Sequence, residues 1–238
     1  MLSAATLLRA WERGGGEPPL RRPLLLLEAA FPERPADAWA DLPVGRRDAS
    51  LLELRETAFG RRLECVVACP ACGEVLELSC DAAELRVPPG DDGPLVVRHG
   101  GVAAAFRLPT TRDLLAVVGR GGGDGDAGDG VRRLLARCLE GPAAVDELPP
   151  ALLAAVEERM EEADPQASVR LVVTCPGCGH VSRPPFDIAS YLWVEVDAWA
   201  RRTLEEVHVL ASAYGWSESE VLALTARRRQ LYVERVRG

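Results

Sequence analysis

The sequence contains no lysine and no asparagine, and all 28 of its basic residues are arginine. This bias is typical of a GC-rich gene, so the arginine count alone does not indicate phosphate recognition. Acidic residues number 36, which leaves a net charge of -8. Because proteins that bind nucleic acids or acidic membranes usually present a basic surface, this balance argues against both classes.

Long apolar runs are also missing. The longest run made only of leucine, isoleucine or valine covers residues 24–27, far short of the roughly 20 residues that cross a bilayer. The apolar start of the chain is interrupted by Arg9 and Glu12 and is too short for a signal peptide. We therefore expect a cytoplasmic protein without membrane insertion, in which reduced thiols favour metal binding over disulfides.

Catalytic motifs are not found either. The sequence has no HExxH, Walker or nucleophile-elbow pattern, and His99, His180 and His208 have no serine or cysteine partner at a recognisable spacing. Residues 119–130 contain the letters GxGxxG, but a helix-like segment precedes them and their three aspartates would repel a pyrophosphate. We expect no enzyme activity and no small-molecule substrate, so the protein should act by binding.

Two matched cysteine motifs are the most informative feature that the sequence does have. Cys69 and Cys72 lie in Cys-Pro-Ala-Cys-Gly, and Cys175 and Cys178 lie in Cys-Pro-Gly-Cys-Gly. Each motif joins two short strand-like runs, which is the layout of a zinc knuckle, and four thiolates form a complete tetrahedral ligand set for Zn²⁺. We predict one structural zinc ion per chain, bound by these four cysteines, with no coordination position open to water.

Two other interpretations of these cysteines are a thioredoxin-like redox pair and simple apolar packing. A redox motif normally opens a helix, whereas a strand-like run follows each motif here. Because 102 residues lie between Cys72 and Cys175, a shared metal would fasten the middle of the chain to its last quarter. Cys65 and Cys80 are expected to lie opposite each other in the first hairpin as apolar fillers, and Cys138 as a buried filler.

The hydrophobic pattern predicts an α+β fold, with a small antiparallel sheet carrying zinc-ribbon-like knuckles and with helices at both ends. The predicted segments are residues 1–60 (N-terminal helices), 61–118 (first knuckle hairpin and sheet), 119–130 (flexible Gly/Asp-rich loop), 131–185 (helices and second knuckle) and 186–238 (C-terminal helices). We expect them to form one domain. A second hairpin, residues 95–99 and 102–108, is predicted to join the same sheet as the first knuckle.

Helix signals are strongest at a few positions. Residues 46–59 and 186–214 carry apolar residues at steps of three or four, which predicts long helices. Ser217 begins a Ser-x-x-Glu capping box, and Thr110 or Thr111 is placed to cap another helix. The arginine-rich tail that follows is interpreted as an exposed helix rather than a phosphate site.

Three stretches of the chain match the pattern of a known family. They are residues 7–12 (LLRAWE), residues 42–60 (LPVGRRD, LLELRE and FG), and the tail running from Tyr214-Gly215-Trp216-Ser217 to Arg228-Arg229-Gln230-Leu231-Tyr232. In order and spacing they resemble the T4-type baseplate hub assembly chaperone family, encoded with contractile phage tails and extracellular contractile injection systems. The resemblance extends over nearly the whole chain. It implies a non-enzymatic factor whose partners are hub or wedge proteins, and it assigns no binding residue and no metal.

Two alternative functions remain open at this point. The first is a permanent structural subunit of the baseplate. The second is a zinc-ribbon protein that binds nucleic acid, which would need a basic and aromatic ribbon face. The first knuckle hairpin instead carries Glu64, Glu74 and Glu77, which argues against this second alternative.

Overall fold

The computed structural model describes residues 2–88, 90, 95–119, 127–141 and 144–238. Within them the chain forms ten α-helices and seven β-strands, and the strands pair in antiparallel sheets. This mixture confirms the predicted α+β class. Among these residues, no helix combines the length and the apolar composition needed to span a bilayer.

The helices follow one another along the chain as α1 (Ala4–Gly15), α2 (Arg22–Ala30), α3 (Ala36–Ala40), α4 (Val44–Phe59), α5 (Thr111–Val118), α6 (Ala127–Cys138), α7 (Pro150–Ala163), α8 (Ile188–Tyr214), α9 (Glu218–Ala223) and α10 (Ala226–Arg237). The strands are β1 (Arg62–Ala68), β2 (Val75–Asp81), β3 (Leu95–His99), β4 (Val102–Phe106), β5 (Leu139–Glu140), β6 (Val173–Thr174) and β7 (Val181–Ser182). Helix α6 begins inside the predicted loop of residues 119–130, whereas residues 120–126 of that loop lie outside the described residues.

The chain divides into two compact units. The terminal unit comprises Met1–Ala36 and Ala189–Gly238, and the central unit comprises Asp37–Ile188. The terminal unit therefore holds α1, α2, α9, α10 and nearly all of α8, whereas the central unit holds α4 to α7 and every strand.

Capping side chains explain where several helices begin. Thr110, rather than Thr111, caps α5: its hydroxyl accepts from the amide of Asp113, whose carboxylate accepts from the amide of Thr110. Ser217 and Glu220 form the same reciprocal pair at the start of α9, as predicted. Gly60, with φ at 90°, follows the end of α4.

The strands form three separate sheets, β1-β2, β3-β4-β5 and β6-β7. The prediction that the second hairpin extends the first-knuckle sheet is therefore wrong. Strand β4 pairs instead with β5, and β3 packs against α7, so this hairpin covers a different part of the core. Buried residues of that core include Leu95, Phe106, Leu135, Leu152 and Val156.

The register of the first hairpin also differs from expectation. Ala68 lies opposite Val75, so that Cys65 pairs with Leu78 and not with Cys80. The tight knuckle turn fixes this register, because it sets which residues face each other at the start of the ladder. Cys65 and Cys80 are diagonal neighbours, and both are half-buried.

Helix α4 begins with an unusual long-range cap. Pro43 precedes the helix and gives no side-chain cap, and the amide of Gly45 donates to Asp164 Oδ2 at 2.7 Å from beyond the end of α7. A Cβ on residue 45 would lie 2.0 Å from Asp164 Oδ1, so only glycine leaves room for this carboxylate. Asp164 therefore takes the capping role that a side chain at residue 43 would normally fill.

Candidate metal centre

The four cysteines predicted as metal ligands come together in the central unit. Cys69 and Cys72 follow β1, and Cys175 and Cys178 follow β6. Their four Sγ atoms all lie within 4.8 Å of one another. The structure thus brings together two motifs that lie more than a hundred positions apart in the sequence.

The spacing of the sulfur atoms fits tetrahedral coordination. The Cys69 and Cys178 Sγ atoms are 3.7 Å apart, and those of Cys72 and Cys175 are 3.6 Å apart. A tetrahedron with metal-sulfur bonds of about 2.3 Å has sulfur-sulfur edges of about 3.8 Å. A disulfide would require about 2.05 Å. The cluster can therefore hold a metal ion, and the observed pairs are thiols.

The backbone of each knuckle positions the sulfur atoms. In the first knuckle the amide of Cys69 donates to the carbonyl of Glu74 at 2.8 Å, and the amide of Gly73 donates to the carbonyl of Cys69 at 2.8 Å. The second knuckle repeats both hydrogen bonds. Gly73 and Gly179 have φ values of 78° and 72°, in the left-handed region that glycine adopts without strain.

Backbone amides within the knuckles favour the thiolate form that a metal requires. Those of Cys72 and the residue before it hydrogen-bond to Cys69 and lower the pKa of its thiol to about 7. The amide of Cys178 acts in the same way on Cys175, although burial and the neighbouring Cys72 thiol still raise the pKa of Cys175. Both knuckles therefore direct amide donors towards their first sulfur atom.

Burial differs between the two positions of each motif. Cys69 and Cys175 are buried and pack with Leu76 and Val173, whereas Cys72 and Cys178 are exposed. The cluster therefore lies between a small apolar core and the surface. This is the position expected of a group that fastens two hairpins to each other.

A carboxylate that sequence reasoning did not connect with the site approaches the cluster. The Cys175 thiol donates to Glu74 Oε2 at 3.4 Å. A Cβ on Gly177 would lie 2.1 Å from the same oxygen, so the second motif has glycine where the first has Ala71. This difference between the two otherwise matched motifs was the only sequence signal that could have pointed to Glu74.

The three histidines are not ligands of this cluster. The group of potential metal ligands found among the described residues consists of the four cysteines. His180 contributes its backbone carbonyl to the second knuckle, and its side chain is exposed. His99 on β3 and His208 on α8 are also exposed.

The fold and site define a class: an α+β protein in which two β-hairpin knuckles bring together four cysteines that could bind a metal ion. Residues 25–141 match the family model described as T4 bacteriophage base plate protein, and this match supports a T4-type baseplate protein. Comparisons with curated proteins and with solved structures found no match.

The matched region contains only part of the features described above. It includes the stretch of residues 42–60 and the first knuckle, whereas the second knuckle, the N-terminal stretch of residues 7–12 and the tail lie outside it. The cysteine cluster therefore joins the matched region to a later part of the chain.

Proposed function

We propose that this protein is a non-enzymatic assembly chaperone for the hub of a contractile tail, in a phage or in a contractile injection system. The match of residues 25–141 to the baseplate family carries the proposal. The resemblance of residues 7–12 and of the tail to hub assembly chaperones supports the finer assignment. Its partners would be hub or wedge proteins.

The cysteine cluster would hold one structural Zn²⁺ per chain. Four thiolates leave no coordination position for water, so the metal would act as a cross-link and not as a Lewis acid towards a substrate. Cys72 and Cys175 are 103 positions apart, so this cross-link would close a long stretch of chain. The metal would stabilise the central unit and keep both hairpins in place.

The distribution of candidate catalytic groups supports a binding role. His99, His180 and His208 are exposed: His99 ends β3, His180 precedes β7 and His208 lies on α8. Two buried aspartates form ion pairs instead: Asp48 binds Arg47, and Asp113 binds Arg107 and Arg137. The described residues therefore offer structural polar networks, and we assign the protein no reaction.

The proposal is tested by following the protein through assembly. The tagged chain would be expressed together with its neighbouring tail genes, and both the unassembled pool and finished particles would be purified and analysed by mass spectrometry. A chaperone should recover hub components from the unassembled pool and be depleted from finished particles. Repeated recovery of no hub component would overturn the proposal.

The alternative is a permanent structural subunit, which the description of the matched family as a base plate protein favours. In that case the same particles would contain the protein in a fixed ratio to the hub. The ratio in finished particles therefore distinguishes the two functions.

A further inference from the structure

One side of helix α10 packs against its neighbours in the terminal unit. Buried Arg229 donates to Glu206 Oε2 at 2.7 Å and to the carbonyl of Leu224 at 2.9 Å. Val233, one turn later, packs with Leu210 in an apolar cluster. These contacts fix which face of α10 points outward.

The outward face carries three arginines around an apolar residue. Arg227, Leu231 and Arg235 follow one another at steps of four, and Arg228 lies beside them on the same face. All four side chains are exposed, and Leu231 is 52% exposed. Within the described part of the chain none of these three arginines forms an ion pair, although Arg229 on the same helix does.

A stack of aromatic rings borders this face. The ring centroids of Tyr214 and Trp216 are 4.8 Å apart, and the Tyr232 ring meets Trp216 edge-on at 5.1 Å. Tyr232 lies one turn from Arg228 and three residues before Arg235, so the stack continues the arginine-bearing face. Tyr214 remains 42% exposed. Interlocked rings of this kind offer contact area at a small cost in conformational entropy.

We propose that this basic-aromatic face, formed by Arg227, Arg228, Leu231, Tyr232 and Arg235, binds an acidic segment of a partner protein. Carboxylates of the segment would pair with the arginines, and one of its apolar side chains would pack on Leu231 and Tyr232. Charge complementarity specifies the occupant, because three exposed guanidinium groups surround a single apolar contact. The inference rests on the proposed function, since it names the chemistry of the partner that a chaperone needs.

The composition of the face favours protein over nucleic acid. A phosphate backbone would gain nothing from Leu231 at the centre of the arginines, whereas an amphipathic protein segment would bury it.

The probe for this face is a fluorescent, helix-forming peptide of about 16 residues with glutamates around a central leucine. Its anisotropy would be measured with the full-length protein, alongside a glutamine version of the peptide and a single-stranded DNA of similar charge. We expect the glutamate peptide alone to bind, and to bind more weakly as salt is added. Stronger binding of the DNA would overturn the choice of a protein partner.

Charge reversal locates the binding face. The double variant Arg228→Glu/Arg235→Glu should raise the Kd for the glutamate peptide at least about tenfold. The charge-matched control is the double variant Arg202→Glu/Arg237→Glu, because these two exposed arginines line a groove with Gln230 on the side of α10 away from this face. Equal binding by all three proteins would overturn the proposal, provided that their circular dichroism spectra agree.

Recovery of hub proteins separates this inference from the proposed function. If the wild-type chain recovers hub components and the Arg228→Glu/Arg235→Glu variant recovers equal amounts, the docking face is wrong and the chaperone function stands. If the wild-type chain recovers none, the proposed function fails whatever the peptide shows.

Discussion

The carboxylate of Glu74 in the first knuckle occupies the space that a side chain at Gly177 in the second knuckle would fill. Its Oε2 atom lies 2.1 Å from the Cβ position of residue 177 and 3.4 Å from the Cys175 sulfur. The two knuckles are therefore fitted to each other beyond their sulfur atoms, and the fit depends on one glycine.

The variant Gly177→Ala should force the Glu74 carboxylate away from the cluster and lower the free energy of unfolding by about 1 kcal/mol. In the background of Glu74→Ala, the same change should cost almost nothing, because no carboxylate then competes for the space. Denaturant unfolding of the two single variants and the double variant gives the coupling energy. If the changes in unfolding free energy of the two single variants add up to that of the double variant, the contact is contradicted. The control is Ala71→Gly at the equivalent position of the first knuckle.

Replacing an exposed cysteine of the cluster, by Cys72→Ser or Cys178→Ser, should abolish retention of the proposed metal while removing little packing. We expect elemental mass spectrometry to find about one zinc in the wild-type chain and almost none in either variant. Unfolding should become easier by about 3–5 kcal/mol, the effect of releasing a cross-link over a long loop. Chelation of the wild-type protein should reproduce this loss.

The control for the cysteine variants is Cys65→Ser, a half-buried thiol outside the cluster. It should keep its metal. If Cys72→Ser melts like the wild-type protein and with unchanged metal content, the structural role of zinc is wrong.

The long-range cap of α4 predicts that alanine substitutions at two glycines of the central unit differ strongly in their effect on stability. Gly45→Ala would place a methyl group against Asp164 and 2.9 Å from the amide nitrogen of Ala167, so we expect a loss of about 2–4 kcal/mol in unfolding free energy. Gly130→Ala in α6 meets nothing within 4 Å and should be neutral or slightly stabilising. Thermal melts of both variants test this, and equal melting temperatures would refute it.

Two buried aspartates should make the free energy of unfolding depend on pH in opposite directions. Burial raises the pKa of Asp48 to about 6 even though Arg47 is its ion-pair partner. A carboxyl whose pKa is raised by folding favours the folded state at low pH, and this contribution is lost as the pH rises from about 4 to 6. The free energy of unfolding of the wild-type protein should therefore fall by up to about 3 kcal/mol across that interval, and Asp48→Asn should remove this fall.

Asp113 should affect the free energy of unfolding at more acidic pH than Asp48 does, and its contribution should rise with pH where that of Asp48 falls. Burial alone would raise its pKa, but hydrogen bonds from Arg107 and Thr110 hold the pKa well below its ordinary value. The contribution of Asp113 is present above about pH 4 and is lost as the pH falls below it. Urea titrations between pH 2 and 7, as a rough range for carboxyl groups, should show this acid loss in the wild-type protein and not in Asp113→Asn.

Features encoded by neighbouring residues were predictable from the sequence. The Cys-Pro-x-Cys-Gly turns and the caps at Thr110 and Ser217 are specified within five residues, and the structure shows each of them. The clustering of all four cysteines was also predictable, because a complete thiolate ligand set needs both motifs.

Features that depend on distant residues were not predictable. Strand β5 is only two residues long and has no sequence signature, so the separate sheet that it completes with β4 was missed. The partner of Gly45 lies 119 positions away, and no local pattern connects it with Asp164. The register of Cys65 and Cys80 depends on turn geometry, which the strand pattern alone does not specify.

The separation of the two knuckles along the chain has a consequence during synthesis. Ribosomes add about 5–20 residues per second, so Cys69 and Cys72 wait roughly 5–20 seconds before Cys175 emerges. Throughout this interval the nascent chain presents only half of the proposed ligand set, and these two thiols are open to oxidation or to the wrong metal. The yield of correctly folded protein should therefore depend on zinc supply and thiol reduction during translation, more than on the same conditions applied to the finished chain.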